Sequence, residues 1–579
     1  MTARRPSRVV CERQQDMSKT ELGERPAGDT GPPARSSAKG TRTPPRASAG
    51  APKTTATAAP EHRPPRWWGV VVGLVAAGCG LAVGELIAGF SRDLHSPVVS
   101  VGERVRDLAP EWMVDFAKEN FGPETDKLAA IWTIIGVIAI TAAVVGIFTV
   151  RGHKRLGLGF ATVFGVLGAW AALASAGAGF GSIFPALLAA ATAAGVLLFG
   201  AHLAEPRVIP AASRPKQPTG TPAPTMLDRR RFLMDTGILA AGALVVVSIG
   251  RSMQSRFNSQ LERAGVRVPA AQDPLPAPPA DPAVDSANSG LSTLFTSNDE
   301  FYRIDTAFDI PAVSLDSWTL KVTGMVDTPL SFTFDQLSNR DLFEQDITIS
   351  CVSNEVGGNL VGNARWLGCR LDDLLHEAGI QSNADQILGV SVDGFTAGFP
   401  VDTLDGRDAM IAIAMNGEAL PVAHGFPARI IVPGLYGYVS AVKWLKEIKL
   451  TRFDEDEGYW IPRGWSALGP IKTQSRIDTP NSKIKAGTHA IAGVAWAPTR
   501  GIDRVEVQID DAPWTDATLG PALNQLTWRQ WWVPWDAVVG KHQIRVRATD
   551  GRGETQTEER ADVAPNGATG WHTIRITVE

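Results

Sequence analysis

Cysteine is scarce in this chain, with four among 579 residues. That excludes a disulfide scaffold, which needs a far higher density. No CxxC or CxxCH spacing occurs, so neither an iron–sulfur cluster nor covalently attached haem has a motif to bind it. An excess of one charge is also missing. Lys and Arg number 56 against 60 Asp and Glu, without the basic balance of a nucleic-acid binder. Mean hydropathy is −0.02, an ordinary value for a soluble protein. That average joins unlike parts, because the length leaves room for three or four domains at roughly 150 residues each.

Large apolar residues are nearly absent from residues 1–66, which hold 13 Lys/Arg against 6 Asp/Glu. Such a segment cannot bury enough surface to offset its ordering entropy, so a disordered basic cytoplasmic tail is expected. The first apolar run begins too late for a secretory signal. From Trp67 long apolar runs follow at about 67–90, 128–150, 156–176, 182–204 and 232–250, the third and fourth separated at a Gly177–Gly181 turn. About 20 apolar residues cross a bilayer core, so residues 67–250 read as a membrane region of five spans. Flanking charges orient it. The tail, the Arg151–Arg155 loop and the stretch Glu205–Arg231 are basic, whereas Ser91–Lys127 holds 5 basic and 8 acidic residues. The expected topology has the N-terminus cytoplasmic and everything after Gly250 outside. Arg229-Arg230-Arg231-Phe232-Leu233 matches two readings, a twin-arginine export signal or a basic anchor on the cytoplasmic face. Glu85, the one ionisable group of the first span, lies near its outer end, where interfacial solvation makes it cheap.

Residues 251–290 read as a Pro-rich linker, with six prolines between 267 and 286. Residues 291–458 mix signals. Trp318–Thr323 alternates like a half-buried strand, and Arg370–Gly379 reads as a helix closed by glycine, giving an α+β domain. In residues 459–579 the period-two runs Val505–Asp510, Ile544–Ala548 and Ile574–Val578, divided by turn residues, give a small all-β sandwich.

Only Cys351 and Cys369 lie in the outer region; Cys11 is in the tail and Cys79 in a span. Cys351 follows the alternating stretch Asp346–Ser350 and opens Cys-Val-Ser-Asn354-Glu-Val-Gly357-Gly358. A thiolate there suits a soft metal ligand or a nucleophile, and a Cys351–Cys369 disulfide is the structural alternative. Further on, His424, Arg429, Ser440 and Lys443 lie among glycines that let backbone approach a ligand closely. Convergent Arg and Lys on such backbone suit an anionic, phosphate-bearing group, although P-loop spacing is absent.

These two stretches, together with Phe301-Tyr302-Arg303-Ile-Asp305-Thr306, resemble the sulfite oxidase family of molybdenum enzymes, in its membrane-anchored actinobacterial-type branch. The resemblance runs from about Leu291 to Glu579, where Arg476-Ile-Asp, Gly493-Val-Ala-Trp496 and Arg547-Ala-Thr-Asp550 look like the family's Ig-like dimerisation module. It implies a molybdenum–molybdopterin cofactor with Cys351 as the protein's metal ligand. Tyr302, Arg303, Asn354, His424, Arg429, Ser440 and Lys443 would contact the pterin, with Arg303 also counted, beside Cys351, at the reacting centre. Cys369 matches an ordinary core position of the family, which favours a buried thiol over the disulfide.

One departure bears on substrate. Sulfite-oxidising members follow the ligand cysteine with Asn-Arg-Arg, where this chain has Asn354-Glu355-Val356. Near Asp393–Thr396, where the family places a pocket tyrosine, it has Phe395. Losing a cation that pairs with a doubly charged oxyanion removes several kcal/mol of charge-assisted bonding. The expectation is therefore a molybdenum oxidoreductase performing two-electron oxygen-atom transfer outside the cytoplasm, either reducing an S- or N-oxide or oxidising sulfite-like substrates. An unidentified electron-transfer partner, membrane lipid and a C-terminal homodimer are the expected partners. A catalytically silent binding protein on the same fold is the alternative. A transporter is disfavoured, since the middle spans carry no charge and no inverted repeat is visible.

Overall fold

The computed structural model describes residues 64–91, 94–110, 126–175, 178–205, 207–208, 225–226, 229–254, 259–280, 290–307, 310–481 and 483–579. The tail expected over residues 1–66, apart from its last three, lies outside the described residues, as do Cys11, Gly177 and residues 281–289 of the expected linker. The N-terminal helices are α1 (Arg66–Ala88), α2 (Pro97–Leu108), α3 (Asp126–Val150), α4 (Lys154–Ala174), α5 (Phe184–Leu203), α6 (Arg229–Gln254) and the short α7 (Ser259–Gly265). Helices α1, α3, α4, α5 and α6 occupy the five apolar runs and are long and apolar enough to cross a membrane. Helix α1 packs through glycine. Gly73 lies against the α3 backbone, Gly84 against Pro97 of α2 and Pro185 and Ala189 of α5, and Gly89, just past the end of α1, against Gly250 of α6, leaving no room for side chains. Small residues of this kind let helix backbones approach in an apolar medium. Glu85 ends α1 among polar partners, accepting from Ser96 Oγ at 2.5 Å and Gln254 Nε2 at 3.1 Å.

The next layer is built from two five-stranded sheets. One has β1 (Thr319–Gly324), β2 (Leu330–Thr333), β5 (Gln386–Ser391), β6 (Thr396–Pro400) and β10 (Leu445–Thr451), in the order β2-β1-β10-β5-β6. The other has β3 (Leu342–Ser350), β4 (Val361–Arg370), β7 (Met410–Met415), β8 (Glu418–Ala419) and β9 (Arg429–Ile431), in the order β8-β7-β4-β3 with β9 also on β7. Among the described strands of these two sheets, only β1 and β10 run parallel. A short helix α8 (Phe334–Ser338) follows β2. Helix α9 (Leu371–Ala378) buries Leu371, Leu374, Leu375 and Ala378, one face at helical spacing, and stops at Gly379 with φ +72°.

The C-terminal region is two four-stranded antiparallel sheets. The first is β11 (Gln474–Thr479), β12 (Gly487–Trp496), β16 (Arg529–Ala537) and β15 (Thr518–Leu519); the second is β14 (Thr515–Asp516), β13 (Ile502–Ile509), β17 (Gly540–Asp550) and β18 (His572–Val578). Ile491, Trp531 and Val533 of one sheet share a core with Val505, Ile544, Val546 and Ile576 of the other.

Two findings go beyond the sequence reading. Part of the segment read as a linker is docked: Gln272 N–H donates to Leu342 O at 2.9 Å and Leu275 N–H to Glu344 Oε2 at 2.9 Å, along the free edge of β3. Strand β3 is also buried on both faces from Asp346 to Ser350. Its polar residues face partners rather than water. Asp346 takes a bidentate pair from Arg365 at 2.7 and 2.9 Å, and Thr348 Oγ1 accepts from the Trp528 N–H of the C-terminal region at 2.7 Å.

Candidate active site

Strand β3 ends at Ser350 and delivers Cys351 into a tight loop, with the residue only 7% exposed. Cys351 N–H donates to Leu360 O at 2.9 Å, and Asn354 Oδ1 accepts from Leu360 N–H at 2.8 Å, so the loop closes on itself. Gly357 turns it with φ +82°, a backbone state that side chains resist. Burial pushes the Cys351 thiol up, against hydrogen bonds from the Ser353 N–H and hydroxyl and the Lys443 charge, which pull it down. A metal binding there would displace the proton.

The second stretch closes over the first. Arg429 opens β9 and is 4% exposed; its Nη1 donates to His424 O at 3.0 Å and its guanidinium lies 5.2 Å from the Trp366 ring centre. Burial lowers it to about 10. Lys443, its side chain 10% exposed, donates to Asp305 Oδ2 at 3.0 Å and is lowered to about 8 by burial, with Asp305 opposing. Asp305 also receives Arg303 Nε at 2.7 Å. His424 sits in the single turn Val422–His424, its Nε2 bonded to Asn298 O at 2.9 Å. Burial, then the Arg429 charge, lowers it to about 4, so it is neutral at ordinary pH, with Nε2–H donating. Tyr302 stacks on Phe301 at 5.3 Å, and burial and the nearby Cys351 keep its phenol protonated.

The sequence-predicted residues Cys351, Tyr302, Arg303, His424, Arg429 and Lys443 thus lie within electrostatic reach of one another. Asn354 and Ser440 differ in kind. The Ser440 hydroxyl is engaged by Leu435 O and Tyr436 O at 3.3 and 3.0 Å, and Asn354 by the loop, so both brace backbone. Sequence reasoning left three groups without a role. Asp305, two residues beyond Arg303, ties two cations together, and Ser353 and the buried Tyr436 lie near enough to Cys351 to interact with it electrostatically. Cys351 and Cys369 are both free thiols, and Cys369 is 2% exposed in the core, as expected of a buried thiol. Glu355 is exposed, and the Phe395 ring lies 5.9 Å from Tyr459, so a phenol reaches that neighbourhood from later in the chain.

The arrangement has chemical consequences. Arg303 and Lys443 share one carboxylate, Asp305, and the Arg429 charge acts on Lys443, leaving an excess of positive charge. Arg429 Nε is buried without a hydrogen-bond partner, a cost that a buried donor carries until something accepts from it. An anion bearing phosphate fits that donor set. One thiolate beside it fits a metal that arrives with its other ligands already attached.

Comparison with known proteins gives one family match and three relatives. The family described as "Oxidoreductase molybdopterin binding domain" matches residues 307–460. The chain is 32% identical over 162 residues to "Uncharacterized oxidoreductase YuiH" of Bacillus subtilis (strain 168), covering 28% of this chain and 79% of that one. It is 29% identical over 320 residues to the NADH nitrate reductase of Solanum lycopersicum, covering 43% and 35%, and 26% identical over 324 residues to human mitochondrial sulfite oxidase, covering 46% and 59%. The chain thus spans about a third of the nitrate reductase's length and 59% of the sulfite oxidase's.

Proposed function

The chain belongs to the sulfite oxidase family of molybdopterin-dependent oxidoreductases, and from that premise we propose that it is a membrane-anchored enzyme performing oxygen-atom transfer on a small extracytoplasmic substrate. One observation carries the reading. A buried cysteine, a cationic cluster and an unpartnered buried guanidinium nitrogen converge from three separate stretches of sequence. When bound, the molybdenum cofactor supplies a two-electron centre able to exchange an oxygen atom with substrate.

This chain's residues have distinct parts. Cys351 is the protein ligand, its loop held by Asn354 and by its own N–H on Leu360 O. Arg429, Lys443 and Arg303 hold the phosphate, with Asp305 fixing the last two in place. His424, neutral and donating from Nε2, would keep Nδ1 as an acceptor for the pterin. Tyr302, kept protonated beside Cys351, offers a hydroxyl near the reacting centre.

On substrate, Glu355 and Val356 stand where sulfite-oxidising relatives have arginines, which favours a neutral S- or N-oxide over sulfite. Five apolar helices support the membrane anchor, and the charge pattern supports an outer location for the catalytic region. The two-sheet C-terminal region supports an Ig-like module able to form a homodimer. Purified full-length protein assayed against sulfite, sulfoxides and N-oxides with an artificial electron carrier tests the reading. Turnover of a neutral oxide well above that of sulfite is the expected result; sulfite as the best substrate would overturn the substrate assignment.

A further inference from the structure

We infer that Arg476 and His572, both on the C-terminal sandwich, are positioning residues that hold the Cys351 loop, so that this domain helps set the geometry of the catalytic thiolate. The inference rests on the reading of Cys351 as metal ligand. It starts from Gly357 and Gly358, the turn of that loop. The place a side chain would take on Gly357 is filled by the His572 imidazole. His572 is itself fixed, its Nδ1 accepting from the Ile477 N–H at 2.9 Å. On the next residue, Gly358 O accepts from Arg476 Nη1 at 2.8 Å. The guanidinium is held at its other nitrogens, with Nη2 donating to Ser292 Oγ at 2.8 Å and Nε to Asp478 Oδ1 at 2.6 Å. Arg476 and Asp478 side chains are only 11% and 6% exposed. A buried planar fork held by two contacts outside the loop resists following it, so the third contact ties the loop to the fork.

The same sandwich grips the strand that leads into the loop. Thr348 N–H donates to Leu526 O at 3.0 Å, and Thr348 Oγ1 accepts from Trp528 N–H at 2.7 Å, three residues before Cys351. Both ends of the Cys351 approach are therefore set from another domain. Second-shell partners that orient a metal ligand change activity or affinity by about 10- to 100-fold.

The test compares Arg476→Ala, Arg476→Lys, His572→Ala and Cys351→Ser in the full chain. The readouts are molybdenum content, the electron paramagnetic resonance spectrum of the dithionite-reduced centre, and the iodoacetamide alkylation rate of Cys351 in cofactor-free protein. Arg476→Ala and His572→Ala should keep their molybdenum, shift or broaden the spectrum, and raise the alkylation rate about tenfold. Arg476→Lys should fall between, and it replaces Arg476→Ala if that variant does not accumulate folded. An unchanged spectrum and alkylation rate, with only a lowered unfolding temperature, is what a purely structural contact gives and would overturn the inference. The Cys351→Ser control separates the two readings. If its spectrum matched the wild type, the ligand assignment would fall, while the alkylation rates would still decide the clamp.

Discussion

Replacing Arg429 by Met should move the cofactor-free and cofactor-loaded proteins in opposite directions. Met keeps the length and apolar body of the side chain and removes the charge. In the cofactor-free chain the guanidinium is 4% exposed, lowered by burial to about 10, with Nε unpartnered. A depression from 12.5 to about 10 corresponds to roughly 3 kcal/mol of unmet solvation. Removing it also forfeits the bond to His424 O, about 1 kcal/mol, and the contact with Trp366, about 1 kcal/mol. The net is a gain of about 1 kcal/mol, or about 2 °C in unfolding temperature. With the cofactor bound, the same change leaves a buried phosphate oxygen unpaired, costing about 2–5 kcal/mol and weakening retention some 30- to several-thousand-fold. The assay is differential scanning fluorimetry of protein from a cofactor-deficient host and a replete one, with molybdenum measured in both. A variant that lowered the cofactor-free unfolding temperature and kept its molybdenum would refute the reasoning, because Arg429 would then be a structural residue.

Lys443 gives a pH dependence. Its value near 8, below the ordinary 10.5, means that the cofactor-free site holds the ammonium below about pH 8 and a neutral amine above it. Cofactor uptake should therefore weaken as pH rises through 8, measured as pterin occupancy after reconstitution at pH 7 and 9, and a flat profile counts against the role. By the same linkage the burial penalty on cofactor-free stability is fully present below pH 8 and fades toward 10.5. Gly379→Ala should cost about 2 kcal/mol in denaturant unfolding, because φ is +72° and the new methyl would meet the Asp327 carboxylate. Cys369, pushed to about 12 by burial, should resist iodoacetamide in folded protein and react only in denaturant.

How far the sequence reached depended on what kind of physics was asked of it. The five apolar helices were legible because length and apolarity alone specify a span. The Cys351 and His424–Lys443 stretches were legible because their residue types suit one chemistry, and the structure brings them together. The docked Pro-rich segment was not, since its anchors are the backbone N–H groups of Gln272 and Leu275, which any residue could supply. Asp346–Ser350 alternates polar and apolar residues, a pattern that does not say what the polar face meets. That face meets Arg365 and Trp528, since buried polar groups are tolerated once paired. The ties from Arg476 and His572 to the Cys351 loop cross more than a hundred positions, beyond the reach of any local pattern.

The central claim is that Cys351 binds a molybdenum ion brought by a pterin. Molybdenum-edge X-ray absorption on the full-length chain, with metal and pterin analysis, tests it directly. About one molybdenum and one pterin per chain are expected, with one sulfur scatterer lost on Cys351→Ser while pterin content holds. A well-folded chain without molybdenum, or an absorption spectrum untouched by that substitution, would contradict it.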